Sequence, residues 1–207
     1  MRLNILRLPV YYINLKKHFK KRKDTHNLLK SLGFIRAKRA SGVLHRDPII
    51  GCSLGHKNIL ERLTDSEEPF IVFEDDIAAR HIDHIIDIPD DADAIYLGVS
   101  VMGCYDGTHE PKLLVDKVDG YHPQLYRIYN MLGAHAILYI NPDYVKRVIE
   151  IIDECIDKGI PQDVGIAENM KDWNIYSVDN PMFYQQYKYR ELTDTSLSKL
   201  NLIYDND

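Results

Sequence analysis

Short apolar segments alternate with amphipathic stretches along this chain, and the alternation predicts strands and helices in turn. Apolar, β-branched runs typical of buried strands lie at 10–15, 69–73, 94–98, 134–140 and 175–178, with a weaker run at 34–40. Apolar residues at helical spacing predict helices over about 17–32, 51–63, 142–158 and 163–172. This order indicates an α/β fold with a mainly parallel central sheet, whose ligand crevice lies at the carboxyl ends of the strands.

Two details of this pattern bear on the site. In the first helix Phe19 and Leu29 are predicted to face the core, and Gly33 to end the helix. Residues 100–130 show no clear period and are rich in Gly, Tyr and His, which predicts a long irregular binding loop.

Length and composition indicate one ordinary globular domain over residues 1–207. The chain has 45% apolar and 28% charged residues, and no window approaches the roughly 18 apolar residues of a membrane span. The three cysteines, Cys52, Cys104 and Cys155, are too widely spaced for a disulfide framework or a zinc site. With no secretion signal at the N-terminus, we expect a cytoplasmic protein.

Charge is unevenly distributed. Residues 1–46 contain thirteen Lys and Arg against one acid, Asp24, so they carry +12 and the remainder carries −17 of the net −5. This asymmetry favours an anionic ligand near the N-terminal part. A solvated helix face explains the cations equally well, and peripheral contact with an anionic membrane stays open. The acidic remainder and the lack of a recognised binding motif disfavour nucleic acid.

The strongest chemical signal is the triplet Glu74, Asp75 and Asp76, directly after the strand at 69–73. Strand alternation would put Glu74 and Asp76 on one face and Asp75 on the other. Adjacent carboxylates repel each other unless a cation or hydrogen-bond donors neutralise them. Mg²⁺ or Mn²⁺ does this and keeps coordination positions for phosphate oxygens. We therefore predict metal or ligand binding; the alternative is a solvated triplet that caps the next helix.

Several short motifs follow one another along about residues 12–186. They are Tyr12–Leu15 with Arg22, Arg39–Gly42, Gly51–His56, Phe70–Ile77, Gly133–Ala136, Pro161–Asp163, and Pro181 with Gln185. In this ordered combination the chain resembles the family 25 glycosyltransferases, which include bacterial lipopolysaccharide sugar transferases and collagen galactosyltransferases. The resemblance implies a GT-A type α/β/α sandwich. Gly55 stands where the family usually has Ser, and the chain is short for the family.

The resemblance also implies roles for the acid triplet and its neighbours. Asp76 would bind the metal, and Asp75 or Glu74 would contact the ribose or sugar of the donor. Asn14 would hold the nucleotide, and Gln185 would line the donor or acceptor pocket.

Three basic residues are implied at the donor as well. Arg39 and Lys57 would be donor-site cations, with surface salt bridges as the alternative. His56, at a predicted helix start, would contact phosphate or sugar, unless it is a structural histidine.

The resemblance makes Asp163 the catalytic base that deprotonates the acceptor hydroxyl. An N-terminal cap of the helix is the alternative role for Asp163, and Glu168 is the reserve candidate for the base. Cys52 is interpreted as a packed residue rather than a nucleophile. The aromatic residues of the predicted loop would stack on acceptor sugars or else pack in the core: Tyr105, Tyr121, His122, Tyr126 and Tyr129.

These observations predict a Mn²⁺- or Mg²⁺-dependent glycosyltransferase, inverting by resemblance, that moves a sugar from a nucleotide donor, UDP-hexose being expected, to a glycan acceptor. A nucleotidyltransferase that uses the same acids is disfavoured because no phosphate-binding loop of the Gly-x-x-x-x-Gly-Lys-Ser/Thr type is present. A degenerate domain that binds sugar or a partner without catalysis is the third alternative, and Gly55 favours it.

Overall fold

The structure, a computed structural model, describes residues 1–103, 113–186 and 190–199. Cys104 and Tyr105 lie outside the described residues. Helices are α1 (Phe19–Ser31), α2 (Pro48–Leu63), α3 (Pro142–Lys158), α4 (Gln162–Asn169) and the short α5 (Arg190–Thr193). Strands are β1 (Arg2–Asn4), β2 (Val10–Asn14), β3 (Ala37–Ser41), β4 (Phe70–Phe73), β5 (Ile77–Ala79), β6 (Ile85–Asp87), β7 (Ala94–Tyr96), β8 (Leu114–Val118), β9 (Leu125–Asn130), β10 (Ala136–Tyr139), β11 (Ile175–Val178) and β12 (Phe183–Gln185).

Within the described part of the chain, the central sheet has eight strands in the order β3-β2-β4-β10-β7-β11-β9-β8. Six of them run in one direction, and β10 and β9 run in the other. The carboxyl ends of β2 and β4 therefore lie at the same sheet edge as the amino end of β10, where Ala136 pairs with Phe73. This edge gathers residues that are far apart in sequence.

Two smaller ribbons complete the sheet structure in the residues described. The strand β1 pairs with β6, and β12 pairs with β5. The second ribbon matters for the site, because it places Gln185 opposite Ile77, directly after the acid triplet.

Both faces of the central sheet are covered, which explains why β4 is apolar at every position. Phe70 and Val72 pack into the core beneath α2 and α3, whereas Ile71 and Phe73 pack into the core beneath α1. A strand buried on both faces has no polar face and reads as a continuous apolar run. The predicted α/β class with a mainly parallel central sheet is confirmed.

Several element predictions are confirmed and others are wrong. The strand at 175–178 and the helix at 142–158 match β11 and α3, and Gly33 follows α1 with a φ of +92°. However, α2 begins at Pro48 rather than Gly51, because the Asp47 side chain accepts the Ile49 N–H and proline suits the first helical position.

The prediction of one irregular loop over 100–130 is wrong for the two stretches that form strands β8 and β9. Residues Leu114–Val118 and Leu125–Asn130 form an antiparallel pair at the edge of the sheet. Val115 and Ile128 are buried there. Phe19, which was expected to face the core, is exposed, and the Arg22 guanidinium lies over its ring.

Helices α3 and α4 approach closely at Gly165. A β-carbon at this position would lie 2.3 Å from Cys155 Sγ and 2.9 Å from Ile151 Cγ2. The close contact fixes the first turn of α4, which carries Asp163, against α3.

We expect Gly165→Ala to destabilise the fold by about 1–3 kcal/mol through overpacking, although alanine in a helix interior is ordinarily favoured by about 1 kcal/mol. Urea unfolding measures the change. The double variant Cys155→Ala/Gly165→Ala should be more stable than Gly165→Ala, since it removes the clashing sulfur. A Gly165→Ala variant as stable as the wild type would contradict this packing.

Candidate active site

The three carboxylates do not continue the strand but form a turn between β4 and β5, here called the acid turn (residues 74–76). The expected alternation of side chains is therefore wrong beyond Phe73. Asp75 and Asp76 both face Lys21, whose Nζ lies 3.2 Å from Asp75 Oδ1 and 3.7 Å from Asp76 Oδ2. Glu74 instead faces α2 and β12.

Glu74 is held by neutral or cationic donors from two elements. His56 Nε2 lies 3.2 Å from Glu74 Oε1, and Gln185 Nε2 donates to Glu74 Oε2 at 3.2 Å. Desolvation opposes ionisation of Glu74, but the hydrogen bond and charge of His56, with smaller effects of His135 and Lys21, lower its pKa. Glu74 is therefore a carboxylate at neutral pH.

His56 reaches Glu74 from the middle of α2, two turns after its start at Pro48, and is buried. The prediction that His56 stands at a helix N-terminus is wrong. His56 lies on the same face of α2 as Cys52, four residues earlier, and this face is directed toward the acid turn.

Asp75 is positioned by a chain of hydrogen bonds that begins on β3. Arg39 Nε donates to Asn14 Oδ1 at 3.1 Å, and Arg39 Nη2 donates to the Asn14 carbonyl at 2.8 Å. Asn14 Nδ2 in turn donates to Asp75 Oδ2 at 2.6 Å. Parallel pairing of β2 with β3 sets Arg39 opposite Tyr12, two residues before Asn14 on the same strand. Arg39 therefore contacts Asn14 and affects the acid turn through it.

Asp76 is the least satisfied acid of the turn. Its buried Oδ1 has no hydrogen-bond partner among the described residues. Desolvation, followed by the charge of Glu74, raises the pKa of Asp76 to about 6. A buried carboxylate oxygen without a donor is a fitting ligand for a hard divalent cation such as Mn²⁺ or Mg²⁺.

A second group of possible metal ligands adjoins the first. The ligand atoms of Cys52, His56 and Glu74 all lie within 4.8 Å of one another. A thiolate, an imidazole and a carboxylate suit Zn²⁺ better than Mn²⁺ or Mg²⁺. Desolvation, followed by the charges of Glu74 and Asp163, raises the pKa of the Cys52 thiol, so Cys52 is protonated without an ion.

Asp163 lies in the first turn of α4, whose N-cap is Pro161 rather than Asp163. Its Oδ2 accepts the Gly133 N–H at 3.2 Å, across the sheet edge. Desolvation and the charge of Glu74 raise the pKa of Asp163 above its ordinary value. A carboxylate with a raised pKa is suited to accept a proton at neutral pH.

Two cavities of opposite character meet at the acid turn. The first, of about 450 Å³, is lined by basic side chains together with Asn14 and the acid turn, and we call it the basic cavity. Its basic lining residues are Lys17, His18, Lys21, His45 and His56.

The second, of about 560 Å³, is here called the apolar cavity, and no Lys, Arg or His of the described residues lines it. Its lining includes Ile49, Met102, Leu132, Ala134, Leu192, Gln162, Asp163 and Gln185. The two cavities share Pro48, Cys52 and Glu74. A ligand in one cavity would therefore meet a ligand in the other at Glu74.

The structure brings together seven of the nine predicted site residues around these cavities: Asn14, His56, Glu74, Asp75, Asp76, Asp163 and Gln185. Arg39 acts through Asn14, as described above. Lys57 is directed elsewhere: its ammonium pairs with Asp153 on α3 and with Glu61.

The aromatic residues predicted to bind acceptor do not line either cavity: Tyr121, His122, Tyr126 and Tyr129. Tyr126 is buried in the core instead, because its strand β9 lies within the sheet. The reserve base Glu168 is exposed and likewise lines neither cavity.

Sequence reasoning missed Lys21 and Thr25 on α1. Thr25 Oγ1 donates to the Asp75 carbonyl at 2.9 Å, one helical turn beyond the contact of Lys21 with the acid turn. A signal was present: Lys21, Thr25 and Leu29 follow a four-residue spacing, and Thr25 and Leu29 are buried. Lys21 therefore continues the inward face of α1 rather than its solvated face.

Comparisons with known proteins leave the family open. No family model matches the chain, and no curated protein matches it. Among solved structures, a CTP:phosphocholine cytidylyltransferase from Streptococcus pneumoniae is 10% identical with a TM-score of 0.39, covering 86% of this chain and 93% of that one. A glycosyltransferase involved in glycosylation of the major capsid of PBCV-1 is 9% identical with a TM-score of 0.37, covering 82% and 91%. At this similarity neither assigns an activity. None of the helices described is long and apolar enough to cross a bilayer.

We expect Asp76→Asn to stabilise the fold at neutral pH. The pKa of Asp76 is about 6 in the folded protein, whereas that of an Asp in the unfolded chain is about 3.9. Between these two pH values the folded protein binds more protons than the unfolded chain, so the stability of the wild type falls as the pH rises from about 4 to about 6. The asparagine variant escapes this loss, which amounts to about 1–2 kcal/mol after allowance for solvent screening.

Urea unfolding at pH 4.5 and 7.5 measures this effect, with Asp157→Asn on the exposed surface of α3 as the control. The advantage of Asp76→Asn over wild type should be larger at pH 7.5. Equal stability of the two proteins at pH 7.5 would contradict the electrostatic penalty at Asp76.

Proposed function

We propose that this chain is a glycosyltransferase of the family 25 type, which transfers a sugar from a nucleotide diphosphate donor to a glycan acceptor. We propose UDP-hexose as donor and Mn²⁺ or Mg²⁺ as cofactor. The observation that carries the proposal is the pair of cavities that share Glu74, one basic and one without cations in the residues described. Two substrates that react together need adjoining sites that bring their reacting atoms together.

The donor takes the basic cavity in this proposal. A diphosphate carries negative charge, and Lys17, Lys21 and His45 offer cationic or hydrogen-bonding groups for it. Asn14 and Arg39 hold Asp75 in a fixed orientation toward the donor. Asp76 would hold the divalent cation, which supplies neutralisation of the leaving diphosphate when it is bound.

The acceptor takes the apolar cavity, where its sugar ring or attached group would lie against Ile49, Met102 and Leu132. Asp163 accepts the proton of the attacking hydroxyl. The hydroxyl oxygen forms the new bond to the anomeric carbon as the bond from that carbon to the diphosphate breaks, and the diphosphate leaves with the electron pair. The raised pKa of Asp163 supports this role, because a base acts best when its pKa lies near the working pH.

A nucleotidyltransferase would use the same cations and carboxylates differently. It would hold a nucleoside triphosphate in the basic cavity and release pyrophosphate, whereas a glycosyltransferase releases a nucleoside diphosphate. The Asp76 Oδ1, which has no hydrogen-bond partner among the described residues, suits a divalent cation in either reaction. The two activities are distinguished by their products.

Incubation with a panel of nucleotide sugars and of nucleoside triphosphates, each with and without Mn²⁺, tests the proposal. We expect Mn²⁺-dependent release of a nucleoside diphosphate from one nucleotide sugar, through transfer or slow hydrolysis, and loss of this release in Asp76→Asn. Release of pyrophosphate from a triphosphate would replace the proposal with nucleotidyl transfer. Donor binding without any turnover would indicate the degenerate, non-catalytic alternative.

Asp163→Asn should lower the rate of sugar transfer by about 10²–10⁴-fold, because the amide cannot accept the acceptor proton. Donor affinity should stay unchanged, since Asp163 lies in the apolar cavity. Glu168→Gln is the matched control on the same helix and should transfer sugar at the wild-type rate. Full activity of Asp163→Asn, measured with saturating donor, would exclude Asp163 as the base.

A further inference from the structure

Helix α1 attaches to the acid turn through two side chains one helical turn apart. Thr25 Oγ1 donates to the Asp75 carbonyl at 2.9 Å, which fixes the helix against the turn. Lys21 Nζ then lies 3.2 Å from Asp75 and 3.7 Å from Asp76. Among the ion pairs of the described residues, Lys21 is the only Lys or Arg that reaches a carboxylate of the acid turn.

The ammonium of Lys21 stands between two carboxylates, which is where a divalent cation held by Asp76 would also be attracted. Desolvation lowers the pKa of Lys21, but the charges of Asp76 and Asp75 outweigh it and raise the pKa, so the side chain is cationic. An ammonium and a divalent ion repel each other at such short range. They therefore compete for Asp76.

The Lys21 side chain can also turn its ammonium into the basic cavity. Its side chain is 43% exposed and lines the basic cavity, together with Lys17 and His18. A lysine has a long, flexible stem and can turn its ammonium from a carboxylate toward a phosphate in the same cavity. The diphosphate of a donor would supply that new partner.

We propose that Lys21 is an internal counter-ion of the acid turn, which neutralises Asp75 and Asp76 in the free protein and yields Asp76 to the divalent cation when the donor binds. This inference rests on the proposed function, because it takes Asp76 as the metal ligand. It explains how Asp75 and Asp76 remain together in the folded chain before any substrate binds, while His56 and Gln185 hold Glu74. It also implies that the metal binds weakly until the Lys21 ammonium pairs with a donor phosphate instead of Asp76.

Titration with Mn²⁺ alone, followed by the electron paramagnetic resonance signal of the free ion, tests the proposal without any activity assay. Lys21→Met removes the competing charge and should bind Mn²⁺ about tenfold more tightly than wild type. Lys21→Gln, a polar second variant, should do the same. Lys21→Arg keeps the charge and should bind Mn²⁺ as wild type does.

Lys20→Met is the matched control, since Lys20 is exposed and forms no ion pair in the described structure. It should leave Mn²⁺ affinity unchanged. Circular dichroism verifies that each variant is folded. Mn²⁺ affinities of Lys21→Met and Lys21→Gln at or below the wild-type value would overturn the proposal.

The Asp76→Asn change, made alone and with Lys21→Met, separates failure of this inference from failure of the proposed metal site. If Asp76→Asn loses Mn²⁺ binding but Lys21→Met gains none, Lys21 is not a competitor and only this inference is overturned. If the gain of Lys21→Met persists in the double variant, the ion does not bind at Asp76 and the metal site itself is overturned. Loss of the gain in the double variant supports both.

Discussion

Repulsion among three consecutive carboxylates is the constraint around which this sheet edge is organised. Glu74, Asp75 and Asp76 follow a strand that is buried on both faces, so they cannot disperse into solvent as a surface loop would. The acids have different side-chain partners: His56 and Gln185 contact Glu74, Asn14 and Lys21 contact Asp75, and Lys21 is the one ion-pair partner of Asp76 among the described residues. Of the three acids, Asp76 is the least stabilised among the described residues, and the proposed metal binding depends on this.

The supporting groups come from α1, α2, β2 and β12, which meet only because of the sheet order. Placement of β2 beside β4 brings Asn14 to the acid turn, and the ribbon of β12 with β5 brings Gln185. The reversed strand β10 begins at the same edge, so that Gly133, just before it, can donate to Asp163 on α4. Asp75 and Asp76 thus line the basic cavity, Asp163 lines the apolar cavity, and Glu74 lines both.

Much of this arrangement follows from the sequence, and the rest depends on long-range pairing. The apolar run of β4 and the helical period of α3 define their elements locally, and the acids at the end of β4 mark the site. The start of α2 was predictable from Asp47 and Pro48, which are typical of a helix start but also of a turn.

Other features of the fold and the site could not be predicted from any short stretch of the sequence. No local pattern tells that β10 runs against its neighbours, and the short strands β8 and β9 lie in a segment whose alternation is weak. Lys21 belongs to a run of basic residues, 20–23, and its inward position depends on which face of α1 packs against the sheet. Arg39 and Lys57 are both cations near motif residues, but only the folded structure directs one to Asn14 and the other to Asp153.

Amide hydrogen exchange in the presence of Mn²⁺ and a nucleoside diphosphate tests the central claim, the division of donor and acceptor between two cavities, most directly. With UDP, or with GDP or CDP if UDP does not bind, the account predicts slower exchange at 17–21 and 42–45 around the basic cavity. Exchange at 132–134 and 161–163 around the apolar cavity should not change. Protection confined to 132–134 and 161–163, around the apolar cavity, would contradict the account. So would the absence of protection at any segment with all three nucleotides.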